Sequence, residues 1–183
     1  RPNHRLGNLL LISPLIQELE DRFPEAKIDL FVKGGLPFIL FKNYKNVDRI
    51  IPLPKKPFSN LLDYLKGWLR LQGRRYDLII NVEKGSSSGR LSTQFARGQR
   101  KLFGELPDEA SWKEEEWKHY GKGPVCTLRS NSKQLGSDTE IKEVPNLDLR
   151  LSSEELAEGN RLVKKLGVDP GKTISLFTYA TGA

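Results

Sequence analysis

Three stretches of the chain carry residue types suited to chemistry. The first is Gly7-Asn8, a glycine and an amide placed directly ahead of an apolar helical run. An amide at a helix start can donate to, or accept from, a sugar hydroxyl, but unlike a carboxylate it takes no proton at neutral pH. Asn is equally a good helix N-cap. The second is Glu83-Lys84-Gly85-Ser86-Ser87-Ser88-Gly89-Arg90, which follows a strand-like run. It should therefore lie at the carboxyl edge of a parallel sheet, where open α/β folds take their ligands. Its Gly and Ser residues can bring backbone N–H groups close to an anion, and Lys84 and Arg90 add charge. The spacing is not that of a Walker loop, and a solvated turn has the same composition. The third is Arg97-Gly98-Gln99-Arg100-Lys101, a basic run that suits an anionic acceptor, a membrane surface or plain solvent. His4 and His119 stand far apart without partners at ligand spacing, so no metal site is expected. Cys126 has neither a helix start nor a His beside it and reads as core.

The elements that must position these residues follow from composition and periodicity. At 183 residues, with 37% hydrophobic and 29% charged residues, the chain suits one domain with a sizeable core plus part of another. A net charge of +7 favours an anionic partner. Basic residues interleaved with exposed aromatics, or a recognisable motif, would point to nucleic acid, and neither is found. No apolar window is long enough for a membrane span. A single cysteine makes an internal disulfide impossible and an intracellular setting the default. The lack of Met and the opening Arg-Pro-Asn-His lead us to expect a piece of a longer polypeptide.

Apolar Ile12, Leu15, Ile16, Leu19 and Phe23 recur at helical spacing over residues 8–22. Ser13-Pro14 could open that helix, whereas a start at Asn8 would leave Pro14 inside it as a kink. Ile28 to Lys33 and Val47 to Leu53 predict strands, with a short helix over 36–42 between them. Ser59 is expected to cap a helix carrying Leu61, Leu62, Leu65, Trp68 and Leu69 on one side, and Pro54-Lys55-Lys56-Pro57 reads as a basic loop. Tyr76 to Val82 is nearly continuous in apolar residues, as befits a strand covered on both faces. A helix carrying Leu91 and Phe95 should follow, then a short strand over 101–104. Residues 105–123 are irregular and charged, 125–135 read as helix and 137–146 as loop. Ser152 caps a helix over 153–166, and Thr173 to Thr178 begins another strand. The order predicts an open parallel sheet with crossover helices.

Arg5-Leu6-Gly7-Asn8 with Ser13-Pro14-Leu15, then Phe23-Pro24-Glu25-Ala26-Lys27-Ile28-Asp29, Asn46-Val47-Asp48 and Tyr76-Asp77-Leu78-Ile79-Ile80, together resemble glycosyltransferase family 9, the lipopolysaccharide heptosyltransferases. The resemblance covers residues 5 to about 104 and resumes near 145–183. It implies an α/β fold, a Rossmann-like parallel sheet with crossover helices that forms the N-terminal half of a GT-B enzyme. Residues 1–150 would be the acceptor-side domain, with its first strand missing. Residues 151–183 would be a linker helix and the first strand of a donor-binding domain. Thr181 and Gly182 carry over as donor contacts; Arg5, Gly7, Lys84, Ser86, Arg90, Arg97, Arg100 and Lys101 are expected as acceptor-side contacts, and Lys55 and Lys56, like Arg97, Arg100 and Lys101, would face either the acceptor or the membrane.

The implied reaction is inverting transfer of a heptose or related sugar from a nucleotide sugar, ADP-heptose in the first instance, to an anionic lipid-linked oligosaccharide. No cofactor or metal and no nucleic acid is implied. The implied setting is cytoplasmic, with peripheral association at the inner membrane, and the 183 residues alone are expected to be inactive. The family usually has Asp as catalytic base where this chain has Asn8, so either another group takes over, with Glu83 the candidate, or the donor phosphate assists, or the protein is a weak or inactive relative. The alternative is a non-catalytic relative that only binds anionic glycan. By the same comparison the first helix should start at Asn8, with Pro14 as an internal kink.

Overall fold

The structure, a computed structural model, describes residues 6–54, 59–83, 85–104, 121–131, 135, 143–169 and 171–173. His4, Arg5, Lys55, Lys56, Lys84, His119, Thr181 and Gly182, nearly all of the irregular stretch 105–123, most of the 137–146 loop and all but the first residue of the strand expected from Thr173 to Thr178 lie outside the described residues. The chain divides into two compact units, Arg1–Leu149 and Arg150–Ala183.

In the first unit the order is α1 (Leu6–Leu10), α2 (Ser13–Arg22), β1 (Ile28–Lys33), α3 (Leu36–Leu40), β2 (Val47–Leu53), α4 (Leu61–Gln72), β3 (Tyr76–Ile80), α5 (Ser87–Phe95), β4 (Gly98–Leu102) and α6 (Gly123–Ser130). The class is mixed α/β, with every described strand pairing parallel. Among the described residues one continuous sheet is not what forms. β1 pairs with β2 and β3 with β4, giving two separate two-stranded sheets.

α2 holds the two pairs to a common core. Its Ile12 and Ile16 side pack with Leu9, Leu30, Val32, Phe41 and Tyr44 over the first pair. Its Leu15 side packs with Val125, Leu128 and Val144, with Leu19, Leu78 and Ile80 alongside. Each of these fully buried aliphatic side chains contributes about 1.5–3 kcal/mol relative to an exposed one. A strap over 146–148 runs across the same helix. Gln17 Nε2 donates to the Asn146 carbonyl at 2.8 Å, Tyr44 Oη to that of Asp148 at 2.7 Å, and the Asp148 N–H to Ser13 Oγ at 3.2 Å. Cys126 is buried in α6, as expected for a core thiol.

Four expectations need correction. The first helix does not run from Asn8 through a kink at Pro14: α1 ends at Leu10 and a new helix starts with Pro14 in its first turn. Pro has no N–H to contribute, so that position suits it and an interior one does not. Asn8 lies inside α1, so it is not an N-cap either. The cap position of α4 is Asn60, not Ser59, and no side chain bonds there. Finally, α4 buries Gly67 and Leu71 with Trp68 partly covered, and leaves Leu61, Leu62, Leu65 and Leu69 exposed. Its apolar arc is wider than the face the sheet covers.

The second unit is described by its helix α7 (Ser153–Lys165). Ser152 Oγ accepts from the Glu155 N–H at 3.2 Å while Glu155 Oε2 accepts from the Ser152 N–H at 2.9 Å, the capping box read from the sequence. The helix ends at Gly167, whose φ of +65° is a left-handed conformation suited to glycine. Among the described residues no helix is long and apolar enough to cross a membrane.

Candidate functional site

Parallel strands have a common carboxyl end, and the loop leaving β3 at that end carries candidate residues. β3 ends at Ile80, and the chain continues through Asn81, Val82 and Glu83 into α5. Asn81 is buried, 1% exposed, and its side chain shapes the turn. Its Nδ2 donates to the Glu83 carbonyl at 3.2 Å and its Oδ1 accepts from the Glu83 N–H at 3.4 Å. α5 presses closely onto it. A Cβ at Gly89 would fall 2.8 Å from Asn81 Oδ1 and 3.2 Å from Ser86 Oγ, so a glycine is what lets this helix start approach.

Ser86 is the N-cap of α5, its Oγ accepting from the Gly89 N–H at 3.1 Å. Its hydroxyl therefore has a structural task as well as the ligand role expected of it. Glu83 is exposed. Arg90 extends over the Phe103 ring, 5.6 Å from its centroid, and Phe103 leaves the carboxyl end of β4.

α1 lies at this same end. Leu9 sits in one cluster with Val82, which follows β3, and α1 packs on α3, which follows β1. Gly7 and Asn8, both exposed, thus share the carboxyl end with Glu83, Ser86 and Arg90. The basic run does not join them as a patch. Gly98 to Leu102 form β4, so Arg97 precedes the strand and lies at its amino end, about 16 Å from the other end at ~3.3 Å per residue. Arg100 is exposed along the strand, and Lys101 Nζ is turned to the Gln94 carbonyl at 2.6 Å. Of the acceptor-side residues expected from the sequence, Gly7, Ser86 and Arg90 are at one end and Arg97 is not.

The opposite end is where charges converge, and the sequence reading passed over it. Asp29 at the start of β1 accepts from Arg49 Nε at 3.0 Å, Arg74 Nη1 at 3.2 Å and Tyr76 Oη at 3.0 Å. Arg74 also donates to Asp48 at 2.7 Å. Burial pushes the Tyr76 phenol up to about 12, and its hydrogen bond to the Asp29 carboxylate acts in the same direction. Asn46 closes this end further, donating from Nδ2 to the carbonyls of Pro24 at 2.7 Å and Ala26 at 2.9 Å.

A second buried set joins α2 to α6. Glu18, 5% exposed, accepts from Arg129 Nε at 2.9 Å and Nη2 at 2.8 Å, and from Arg22 Nε at 2.6 Å. Burial alone would raise the Glu18 pKa, but the hydrogen bonds from Arg129 and Arg22 outweigh it and hold the carboxyl below its ordinary value. Among the described residues no three His, Cys, Asp or Glu side chains converge as a metal site.

The carboxyl end thus offers an exposed amide, an exposed carboxylate, a helix start and an arginine, a set able to hold a hydroxylated and anionic ligand. Comparison with known proteins adds no relative to this description: no family model, no curated protein and no solved structure matches the chain.

Proposed function

We propose that this chain is the acceptor-side part of an inverting GT-B glycosyltransferase with a Rossmann-like sheet, transferring heptose or a related sugar from a nucleotide sugar to a lipopolysaccharide-type acceptor. The observation that carries the reading is the shared position of Gly7, Asn8, Glu83, Ser86 and Arg90 at the carboxyl end of parallel strands, the end at which open α/β folds bind ligands. In this reading Asn8 orients an acceptor hydroxyl by hydrogen bonding. Glu83 removes its proton as the hydroxyl oxygen attacks the anomeric carbon and the nucleoside diphosphate departs. Arg90 and the start of α5 hold acceptor anions. The donor-side roles of Thr181 and Gly182, the acceptor-side roles of Arg5, Lys84, Arg100 and Lys101, and peripheral attachment to an anionic inner-membrane surface belong to the same proposal.

Incubating the parent polypeptide with ADP-heptose and a phosphorylated lipopolysaccharide-core acceptor tests it. Product should form, and Glu83→Gln should abolish transfer. Undiminished turnover by that variant removes Glu83 as the base. A second reading, a glycan-binding relative without catalysis, is favoured by one observation: the family's base position holds an exposed amide. Tight acceptor binding with no product would select it.

A further inference from the structure

Two neighbouring helices leave an apolar surface open between them. α4 leads into β3 and α5 into β4, strands that pair parallel with Tyr76 opposite Gly98, so the helices run the same way and end together. Where they end, Gln72 Nε2 of α4 donates to the Phe95 carbonyl of α5 at 2.5 Å. Beneath them Leu71 of α4 and Ser92 and Thr93 of α5 line one cavity.

The sides that the helices turn toward one another follow from their period. Leu61, Leu65 and Gln72 stand at i, i+4 and i+11, which is one line along an α-helix. Because Gln72 reaches α5, that line faces α5. On α5, Arg90 lies over the Phe103 ring and the Gln94 carbonyl accepts from Lys101 Nζ, so the side carrying Arg90 and Gln94 looks over β4. Leu91 and Phe95, one residue on from each and four apart, lie across the crest on the side of α4. The four apolar side chains, Leu61, Leu65, Leu91 and Phe95, are 46–60% exposed and line a trough. Exposed apolar surface that is contiguous in this way marks an interaction site.

Charge around the trough has one sign. Lys66 and Arg70 stand on the outer shoulder of α4, and Arg90 is the single charge of α5. Asp63, the one acid in the two helices, lies 3.6 Å from Lys66 with both side chains two-thirds exposed, a pair that contributes little.

These features select the occupant. A second copy would set the same cations against themselves. A bilayer is flat and meets crests; on α4 the crest carries Leu62 and Leu69, but on α5, opposite the buried Gly89, Ser92 and Thr93, it carries the polar Ser87 and Gln94. A third helix fits between two others, its ridge of side chains entering the groove they leave. We propose that the α4–α5 trough docks an amphipathic helix of a protein partner, its apolar stripe on Leu61, Leu65, Leu91 and Phe95 and its flanking carboxylates toward Lys66 and Arg70. This holds whatever reaction the protein performs.

The probe is a fluorescein-labelled synthetic helix of about 18 residues, with Leu repeating at i, i+3, i+4 and i+7, Glu on both flanks and Ala elsewhere. Its anisotropy is followed on titration with the 183-residue chain, beside a copy carrying Lys in place of Glu. The Glu helix should bind at least about tenfold more tightly at low salt, and the margin should shrink as salt rises. Leu65→Gln and Phe95→Gln should each weaken binding about tenfold, while Leu156→Gln, at a leucine of α7 as exposed as Leu65, should leave it unchanged. Lys66→Glu combined with Arg70→Glu should reverse the preference to the Lys helix. All these positions are exposed, and an unchanged far-UV circular dichroism spectrum checks each variant. Equal binding of the two helices overturns the proposal, as does an equal loss in Leu65→Gln and Leu156→Gln. Failure of the Glu helix to bind overturns it as well, and two measurements then name the true occupant. Co-sedimentation with phosphatidylglycerol vesicles that Leu65→Gln abolishes assigns the trough to lipid, and a concentration-dependent mass that Leu65→Gln lowers assigns it to a second copy.

Discussion

The two ends of the strands use polar side chains in opposite ways. At the amino end Asp29, Asp48, Arg49, Arg74 and Tyr76 satisfy one another, and Asn46 ties two loops together. At the carboxyl end Asn8 and Glu83 are exposed, and Asn81 and Ser86 serve the local turn. Saturated polar groups rigidify, while exposed ones stay available to a ligand, so one protein assigns stability and binding to opposite ends of the same strands.

The contrast can be broken most sharply at the buried ion set, which belongs with the closed end in character. Arg129→Ala leaves Glu18 buried with Arg22 alone and should cost about 3 kcal/mol or more, read as a lower urea midpoint with an unchanged slope. Because the folded Glu18 pKa is depressed, its contribution is present above the unfolded carboxyl value and is lost as pH falls through the folded one. The variant should therefore show a shallower loss of stability on acidification than the parent.

Gly89→Ala probes a tight point at the carboxyl end of β3. The new methyl meets Asn81 and the Ser86 cap, and about 1–3 kcal/mol should be lost, again by denaturant titration. Tyr76→Phe comes next, at about 1 kcal/mol for a lost hydrogen bond to Asp29. The Tyr76 pKa is raised in the folded state, so its stabilising effect is complete below about pH 10 and fades as pH rises toward 12. In Tyr76→Phe that decline should be reduced in pH-dependent unfolding. The smallest effect sharpens the contrast most. Glu83→Gln, exposed and outside the buried ion sets, should stay within about 0.5 kcal/mol of the parent even where it abolishes transfer.

How much of this was legible depended on the range of the interaction. β1 and β2 have the bounds their β-rich runs predicted, and the α7 capping box was written in Ser152 and Glu155. β4 was displaced because Gly98-Gln99-Arg100-Lys101-Leu102 looks like a surface run; charged residues are tolerated where a strand lies at a sheet edge. Pro14 was legible as a helix opener from local chemistry, and a family comparison moved it wrongly into the helix interior. Glu18 and Arg129 are 111 residues apart and Asp29 and Tyr76 are 47 apart, so no local pattern announces either pairing. For the candidate site, the turn after β3 was visible in its Gly and Ser content. The role of Asn81 was not, although an amide ending the apolar run Leu78-Ile79-Ile80 was the available signal.

The division of the strands into two pairs also bears on how the chain folds. Residues 28–53 form β1-α3-β2 and residues 76–102 form β3-α5-β4, each a contiguous segment whose pairings span few residues. Loop closure within each is entropically cheap, so each should assemble early and by itself, while their union waits on contacts of much longer range. The seam between the pairs is then where opening begins, and exchange should reveal two cooperative blocks meeting at β1 and β3.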